Sequence, residues 1–213
     1  MLTRKTHARR RIYNLTPGSF YKNENFSYCD FMGVNATGCV FLNCMFTGCD
    51  FSGANLTRAR IITPISLTGA TFHHANLKDS EWRDVTCDAH ALDNANLAGS
   101  SWWGVQANSQ EFTCARLSGS RWEDCLCRRW TIHAGEIDEP VEWKRVDMSF
   151  STINSFRVRV ACTLREMSAV HVRLADSDLR LLTCERGDAT YAIVNNCELP
   201  CVHDMRTDLL HIQ

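Results

Sequence analysis

The sequence lacks a long apolar run, and it lacks an excess of charge of either sign. None of its apolar stretches approaches the roughly 20 residues that a membrane-spanning helix needs, so we expect no membrane association. The 23 Lys and Arg residues nearly balance the 24 Asp and Glu residues. A balanced charge gives no global field that would attract nucleic acid, and direct nucleic-acid binding is not expected.

Motifs that carry enzyme chemistry are also missing. We find no glycine-rich phosphate loop, no nucleophile elbow and no helical HExxH motif. Cys125 and Cys127 are spaced for a metal, but no second Cys or His pair accompanies them at zinc spacing. The sequence therefore predicts a protein that is not an enzyme and that has no cofactor, catalytic residue or metal site.

Charge is unevenly distributed along the chain. Residues 1–25 contain six Lys or Arg against one Glu (+5), and the remaining residues contain 17 against 23 (−6). The segment 1–25 is interpreted as a basic leader or cap, with a partly disordered terminus, a transit peptide or a basic arm as the alternatives. It has no apolar core of a signal peptide, so the 12 cysteines favour a reducing, cytoplasmic setting over a disulfide framework.

The stretch from Tyr28 to Leu56 has a period of five residues. It reads YCDFMGVNATGCVFLNCMFTGCDFSGANL. A large apolar residue recurs every five residues, with few exceptions, and a small residue lies two places before each. A period of five matches neither the α-helix nor a flat strand, and it indicates a chain that turns a corner every five residues. We call the large residue the central position and the residue two before it the small position.

A second regularity appears when every fourth central position is compared. One such series contains mostly phenylalanine and aliphatic residues: Phe31, Phe51, Phe72, Leu92, Phe112, Ile132, Ile153, Leu174 and Val194. Another contains Phe41, Ile61, Trp82, Trp102, Trp122, Trp143 and Leu164. Similar residues recur about 20 places apart, so four five-residue units form one coil, and single-residue slips are expected near Pro64, near Pro140 and before Leu164.

This pattern resembles that of the pentapeptide-repeat proteins, in which Ala-(Asp/Asn)-Leu-x-x recurs. In this chain the pattern is matched by Cys49-Asp50-Phe51, Ala54-Asn55-Leu56, Ala75-Asn76-Leu77 and Ala95-Asn96-Leu97. The resemblance implies an all-β fold, a right-handed quadrilateral β-helix of about nine four-sided coils. The β-helix is predicted over residues 26–209, with a short tail at 210–213. Four large residues stand at small positions, which predicts distorted coils or a local error of register: Trp130, Phe156, Met167 and Leu182.

Most cysteines fall at small or central positions, where a free thiol acts as a small apolar side chain, and His90 at a small position is expected to be a buried, hydrogen-bonded histidine. The outer surface beside the tryptophan series carries charges of both signs, which indicates neighbouring salt bridges. Trp103 points outward in this register and is the predicted anchor for a partner. The other candidate partner-binding residues are Glu81, Arg83, Asp84, Glu123 and Asp124.

The resemblance implies two classes of function. Family members of similar length bind DNA gyrase or topoisomerase IV as acidic mimics of duplex DNA and protect against antibiotics or toxins. A protein partner is therefore predicted, with these enzymes as the specific candidates. The alternative is a partner-binding scaffold or a secreted bacterial effector module. Residues 204–213 are too few for the C-terminal helix through which such proteins dimerise, so the oligomeric state stays open.

Overall fold

A computed structural model describes residues 10–64, 66–88, 91–113, 116–198, 201–203 and 210–211, with the backbone alone for Leu182, 201–203 and 210–211. These residues form short parallel strands that wind into a four-sided β-helix. The described part of the chain contains no helix that could cross a membrane. His90 and residue 209, the predicted end of the β-helix, lie outside the described residues.

The largest sheet has ten strands, and we call it the tryptophan face because its central positions include Trp82, Trp102, Trp122 and Trp143. Its strands are β1 (Phe20–Lys22), β2 (Val40–Leu42), β3 (Arg60–Ile62), β4 (Glu81–Arg83), β6 (Ser101–Trp103), β9 (Arg121–Glu123), β12 (Glu142–Lys144), β15 (Cys162–Arg165), β17 (Leu182–Glu185) and β19 (Cys201–His203).

The other three sides follow in chain order around each coil. The next face, which we call the fourth face, has the small central residues Cys87 and Ala107 and contains β5 (Thr86–Cys87) and β7 (Gln106–Ala107). The phenylalanine face contains β8 (Glu111–Thr113), β10 (Thr131–His133), β13 (Thr152–Asn154), β16 (Arg173–Ala175), β18 (Ile193–Asn195) and β20 (Leu210–His211). The asparagine face contains β11 (Glu136–Ile137) and β14 (Arg157–Val158), and toward the N-terminus it continues through single bridges between Asn35, Asn55, Asn76 and Asn96.

The strand register confirms the predicted repeat and its three slips. Val40 pairs with Arg60, twenty residues on, whereas Arg60 pairs with Glu81, twenty-one residues on. The extra residue near Pro64 accounts for that step. Glu142 is likewise twenty-one residues from its partners on both sides, which places the other slips near Pro140 and before Leu164. One residue is absorbed at a corner each time, so the strands on either side stay in phase.

Stacked rings fill the axis of the coil. Phe31 lies 4.4 Å from Phe51 between ring centroids, and Trp82, Trp102 and Trp122 follow one another at 4.7 Å with nearly parallel planes. These separations match the spacing of parallel strands, roughly 4.8 Å. Because each ring covers its neighbours on both faces, the series buries apolar area continuously along the rod.

Large residues at small positions are packed inside without any loss of register. Trp130 and Phe156 are both buried, and Thr131 still pairs with Thr152. The Trp130 Nε1–H donates to the carbonyl of Ala107, a small central residue. A Cβ at Gly135 would overlap the Phe156 ring, so glycine on the coil before makes room for phenylalanine. The expected local error of register was wrong, and complementary packing explains why these large residues are tolerated. Met167 is buried as well.

A serine two residues before each of the first buried tryptophans satisfies its indole. Trp82 Nε1–H donates to Ser80 Oγ at 2.8 Å, and Trp102 Nε1–H donates to Ser100 Oγ at 2.6 Å. Trp143 follows Val141 instead of a serine and donates to Ser120 Oγ of the coil before, at 3.2 Å. Among the described residues the buried Trp122 Nε1–H is without a partner.

The described coil begins before residue 26, inside the predicted leader. Arg11 forms a bridge with Asp30, and β1 (Phe20–Lys22) pairs with β2. Ile12, Leu15 and Tyr21 pack half-buried against the core. At the other end β20 (Leu210–His211) pairs with β18, inside the predicted tail. The strand pairing therefore runs past both boundaries at which the sequence repeat loses its regularity.

Candidate functional site on the tryptophan face

The six predicted partner-binding residues lie on one strip of the tryptophan face. Arg83, Trp103 and Glu123 are direct partners in the strand register of β4, β6 and β9. In each strand the middle tryptophan points to the axis, so its two neighbours point outward. Asp84 and Asp124 stand at the adjoining corner, where Gly104 separates them. The structure thus brings the six residues onto three successive coils.

Glu81 is the centre of the first charged group of the strip. Its carboxylate accepts hydrogen bonds from Arg60 Nε at 2.7 Å and from Arg83 Nε at 2.5 Å. Partial burial by itself raises the pKa of Glu81, but these hydrogen bonds and charges outweigh it and hold the pKa below its usual value. The group stays ionised at neutral pH and fixes the position of Arg83.

Trp103 is half-buried, which corrects the prediction of an exposed aromatic. The Arg83 guanidinium lies over its ring, 4.5 Å from the ring centroid. An arginine stacked on an indole in this way is a cation–π contact that also shields the ring face. The edge and the remaining surface of the ring are open to a partner, and Arg83 is part of the same surface.

Arg145 is the centre of the second charged group. It donates to Glu123 at 2.6 Å and to Asp124 at 2.5 Å, and Glu166 lies 3.8 Å away. The hydrogen bond from Arg145 lowers the pKa of Asp124, with a smaller opposing effect of desolvation. The same bonds, that with Asp124 first, raise the pKa of Arg145. The mixed signs therefore form the salt-bridge ladder that the sequence predicts.

A shallow groove runs along the tryptophan face from Trp103 toward Arg165, beside the second charged group. Its volume is about 320 Å³, and it is lined by Trp103, Arg121, Trp122, Glu123, Glu142, Trp143, Lys144, Thr163 and Arg165. Of the predicted residues only Trp103 and Glu123 line it directly. Arg121 and Glu142, which are partners in the strand register, form an ion pair at 3.0 Å in its lining. The groove combines an aromatic side with paired charges of both signs.

Asp84 takes no part in an ion pair within the described part of the chain. Its carboxylate leans over Gly104, where a Cβ would stand only 2.8 Å from Asp84 Oδ1. Asp84 itself has a φ of 51°, a left-handed conformation that aspartate tolerates at a corner. Its carboxylate is available at the edge of the strip.

The cysteines contribute packing and no reactive thiolate to the strip. All ten described cysteines are free, and eight of them are buried. Burial raises the pKa of Cys49 and of Cys87 to about 12 and that of Cys125 to about 11. Thiols with such pKa values are protonated at neutral pH, and protonated thiols are poor nucleophiles and poor metal ligands. Across the described residues no group of three His, Cys, Asp or Glu is placed to hold a metal ion.

Sequence reasoning missed the large apolar side chains that are most exposed. These include Tyr28, Phe150 and Tyr191, which all stand two residues after a central position. The register assigns that place to a corner, where glycine is common. An aromatic residue at a corner position was the signal that could have identified them.

Comparison with known proteins supports the repeat assignment. A family model described as pentapeptide repeats matches residues 25–61, in eight copies. No curated protein matches the chain. Among solved structures, full-length QnrB1, a plasmid-mediated fluoroquinolone resistance protein, is 16% identical with a TM-score of 0.35, over 95% of this chain and 93% of that chain.

HetL, a pentapeptide-repeat protein involved in heterocyst differentiation regulation in the cyanobacterium Nostoc sp. strain PCC 7120, is 13% identical with a TM-score of 0.32, over 96% of this chain and 89% of that chain. Scores this low carry no argument about activity or partners. Residues 25–61 match the pentapeptide-repeat model, and the four-sided coil continues beyond them through the later strands.

Proposed function

We propose that this protein is a non-catalytic rod that binds a protein partner along the tryptophan face. The observation that supports this most is the groove beside Trp103, whose lining also includes Arg121 and Arg165. Tryptophan and arginine are enriched among the residues that dominate binding energy at protein interfaces. The ion pairs around the groove would set the register of the partner, since charges at the rim of an interface mainly govern specificity and association rate.

The arginine side chains of the strip are also held in place before any partner binds. Arg83 is held by Glu81 and stacked on Trp103, while Arg145 is held by Glu123 and Asp124. Long side chains that are fixed before binding lose less conformational entropy on association than free ones do. A pre-ordered strip on a stiff coil is suited to holding a partner. We include in the proposal a cytoplasmic location, with which the ten free thiols are in line.

DNA gyrase or topoisomerase IV is the specific partner that we propose, with protection from an antibiotic or a toxin as the consequence. The basis is the resemblance to family members that imitate duplex DNA. Imitation of DNA needs a row of carboxylates, and the tryptophan face alternates in sign instead. The outer positions of the phenylalanine face offer four carboxylates in its N-terminal half: Asp30, Asp50, Asp93 and Glu111. Of these, Asp30 is paired with Arg11 at 3.4 Å.

Gyrase supercoiling and quinolone-stabilised DNA cleavage, each measured with and without the purified protein, test this assignment. We expect the protein to change supercoiling or to reduce drug-stabilised cleavage. Trp103→Ala should weaken the effect, and Lys78→Ala, an exposed control on the asparagine face, should not. If neither reaction responds to the protein, the topoisomerase assignment fails.

The two modes of binding give different results in the same assays. Binding through the tryptophan face predicts sensitivity to Trp103→Ala, whereas imitation of DNA by the phenylalanine face predicts sensitivity to Asp50→Asn combined with Glu111→Gln. If gyrase and topoisomerase IV are unaffected, the alternative is a scaffold or a secreted effector module that uses the same strip for another protein. The groove beside Trp103 is the observation on which that alternative also depends.

A further inference from the structure

One corner of the coil carries a row of stacked aromatic side chains, which we call the aromatic corner: Phe150, His171 and Tyr191. The corner lies between the fourth face and the phenylalanine face. Backbone bonds keep the row aligned, because Phe150 N–H donates to Val170 O at 2.9 Å and His171 N–H donates to Thr190 O at 3.0 Å. The ring centroids are 5.2 and 4.9 Å apart, with planes 18° and 13° from parallel.

The backbone of this row is in an unfavourable conformation for bulky residues. Phe150, His171 and Tyr191 have φ values of 64°, 56° and 59°. The left-handed region costs roughly 1–2 kcal/mol for a residue with a side chain. At the same corner, nearer the N-terminus, the chain uses Gly48 and Gly69. Three aromatic residues in a place suited to glycine point to a role for the rings outside folding.

The stacking determines which part of each ring a partner meets. The facing sides of the three rings cover one another, and Phe150 and Tyr191 are 54% and 48% exposed, so the ring edges are accessible along the row. The edge of an aromatic ring carries partial positive charge, and the face carries partial negative charge. The row therefore presents a surface that attracts electron-rich groups.

Two arginines adjoin the row. Arg129 occupies the same corner one coil earlier, and its N–H donates to Ser149 O at 3.0 Å. Arg173 stands two residues after His171, on the adjoining outer row of the phenylalanine face. Both side chains are exposed, and neither forms an ion pair with any residue that the structure describes.

The rows directly beside the aromatic corner contain no carboxylate. One of these rows contains Ser149, Val170 and Thr190, and the other contains Thr152, Arg173 and Ile193. Carboxylates first appear one row further away, at Asp147 and Asp188. Asp147 accepts from the N–H of Ser149 and is paired with Arg128. Asp188 accepts from the N–H of Thr190. Within the aromatic corner and the two rows directly beside it, the charged side chains of these coils are therefore the arginines Arg129 and Arg173, besides the paired Arg128.

We propose that the aromatic corner, with Arg129 and Arg173, is a docking surface for an acidic peptide segment of a protein partner. The carboxylates of the segment would pair with the two guanidinium groups and lie against the ring edges. A single-stranded nucleic acid fits less well, because its bases bind by stacking on free ring faces, and the faces between these three rings are occupied by one another. This surface is separate from the groove beside Trp103 and does not depend on it.

Fluorescence anisotropy with a labelled peptide of alternating Glu and Gly tests the proposal on the full chain. We expect saturable binding that weakens with added salt. The double variant Arg129→Gln/Arg173→Gln should weaken it about tenfold or more, a change of about 1.4 kcal/mol. Phe150→Asn/Tyr191→Asn should weaken it as well without loss of thermal stability, since asparagine tolerates the left-handed conformation.

Tyr28→Asn is the matched control. Tyr28 is an exposed tyrosine of the same corner at its N-terminal end, with a φ of 60°. It should leave peptide binding unchanged. The proposal is overturned if the native protein does not bind the peptide, if the variants bind it as well as the native protein, or if Tyr28→Asn weakens it equally. Binding of a labelled oligothymidylate in preference to the peptide would overturn it in favour of nucleic acid.

Discussion

Ser100→Ala should destabilise the rod through the indole of Trp102. Ser100 is fully buried, and its Oγ accepts from Trp102 Nε1 at 2.6 Å while donating to Leu97 O at 2.5 Å. Leu97 O also accepts the N–H of Ser100 at 3.1 Å and remains satisfied in the variant. The buried indole N–H of Trp102, by contrast, loses its hydrogen-bond acceptor in the variant. A buried donor without a partner costs about 1–3 kcal/mol, and the loss of a single oxygen atom adds little cavity.

Thermal and urea unfolding, followed by circular dichroism and tryptophan fluorescence, measure this cost. For a domain of this size about 1 kcal/mol lowers Tm by roughly 2–4 °C, so a decrease of about 2–12 °C is expected. Ser101→Ala is the control, because Ser101 is the outward-facing neighbour in the same strand and should change stability by no more than about 0.5 kcal/mol. If both variants unfold alike, the serine–indole pairs do not stabilise the core as we argue.

Three further predictions concern packing, thiols and pH. Gly135→Ala should cost about 1–3 kcal/mol in chemical unfolding, because its Cβ overlaps the Phe156 ring, and Phe156→Leu in the same chain should recover part of the loss. In the folded protein Cys49, whose pKa burial raises to about 12, should react with a thiol reagent far more slowly than the half-buried Cys197; equal rates would contradict its burial. The pKa of Glu81 is lowered on folding, so its contribution to stability is present above its unfolded pKa of about 4.3 and is lost as pH falls through the lower folded value. Tm should therefore decrease less between about pH 5 and pH 3 in Glu81→Gln than in the native protein, and parallel curves would show that the Glu81 ion pairs are unimportant.

The repeat in the sequence was sufficient to predict the coil, because a five-residue period and a twenty-residue similarity together assign each side chain to one face. Phe31, Phe51 and Phe72 stack as that register requires. The slips near Pro64 and Pro140 could be predicted for the same reason. The strand at Phe20–Lys22 could not, because its central residue, Tyr21, is only half-buried and lacks a regular repeat before it.

The details of the strip depended on side-chain conformations that spacing does not specify. Register placed Trp103 on the outer surface, but the Arg83 guanidinium that covers it belongs to the previous coil. Trp143 follows Val141 and donates to Ser120 of the coil before, while the Trp122 Nε1–H is unpaired among the described residues. These details depend on contacts between side chains of neighbouring coils.

Site-specific photocrosslinking in the producing cell tests most directly whether the tryptophan face binds a partner. A photoreactive phenylalanine analogue is placed at Trp103 and, in a second chain, at Lys78 on the asparagine face. We predict a discrete protein adduct from position 103 that is absent from position 78, with both chains folded. No adduct at position 103, or the same adducts at both positions, would contradict binding through this face.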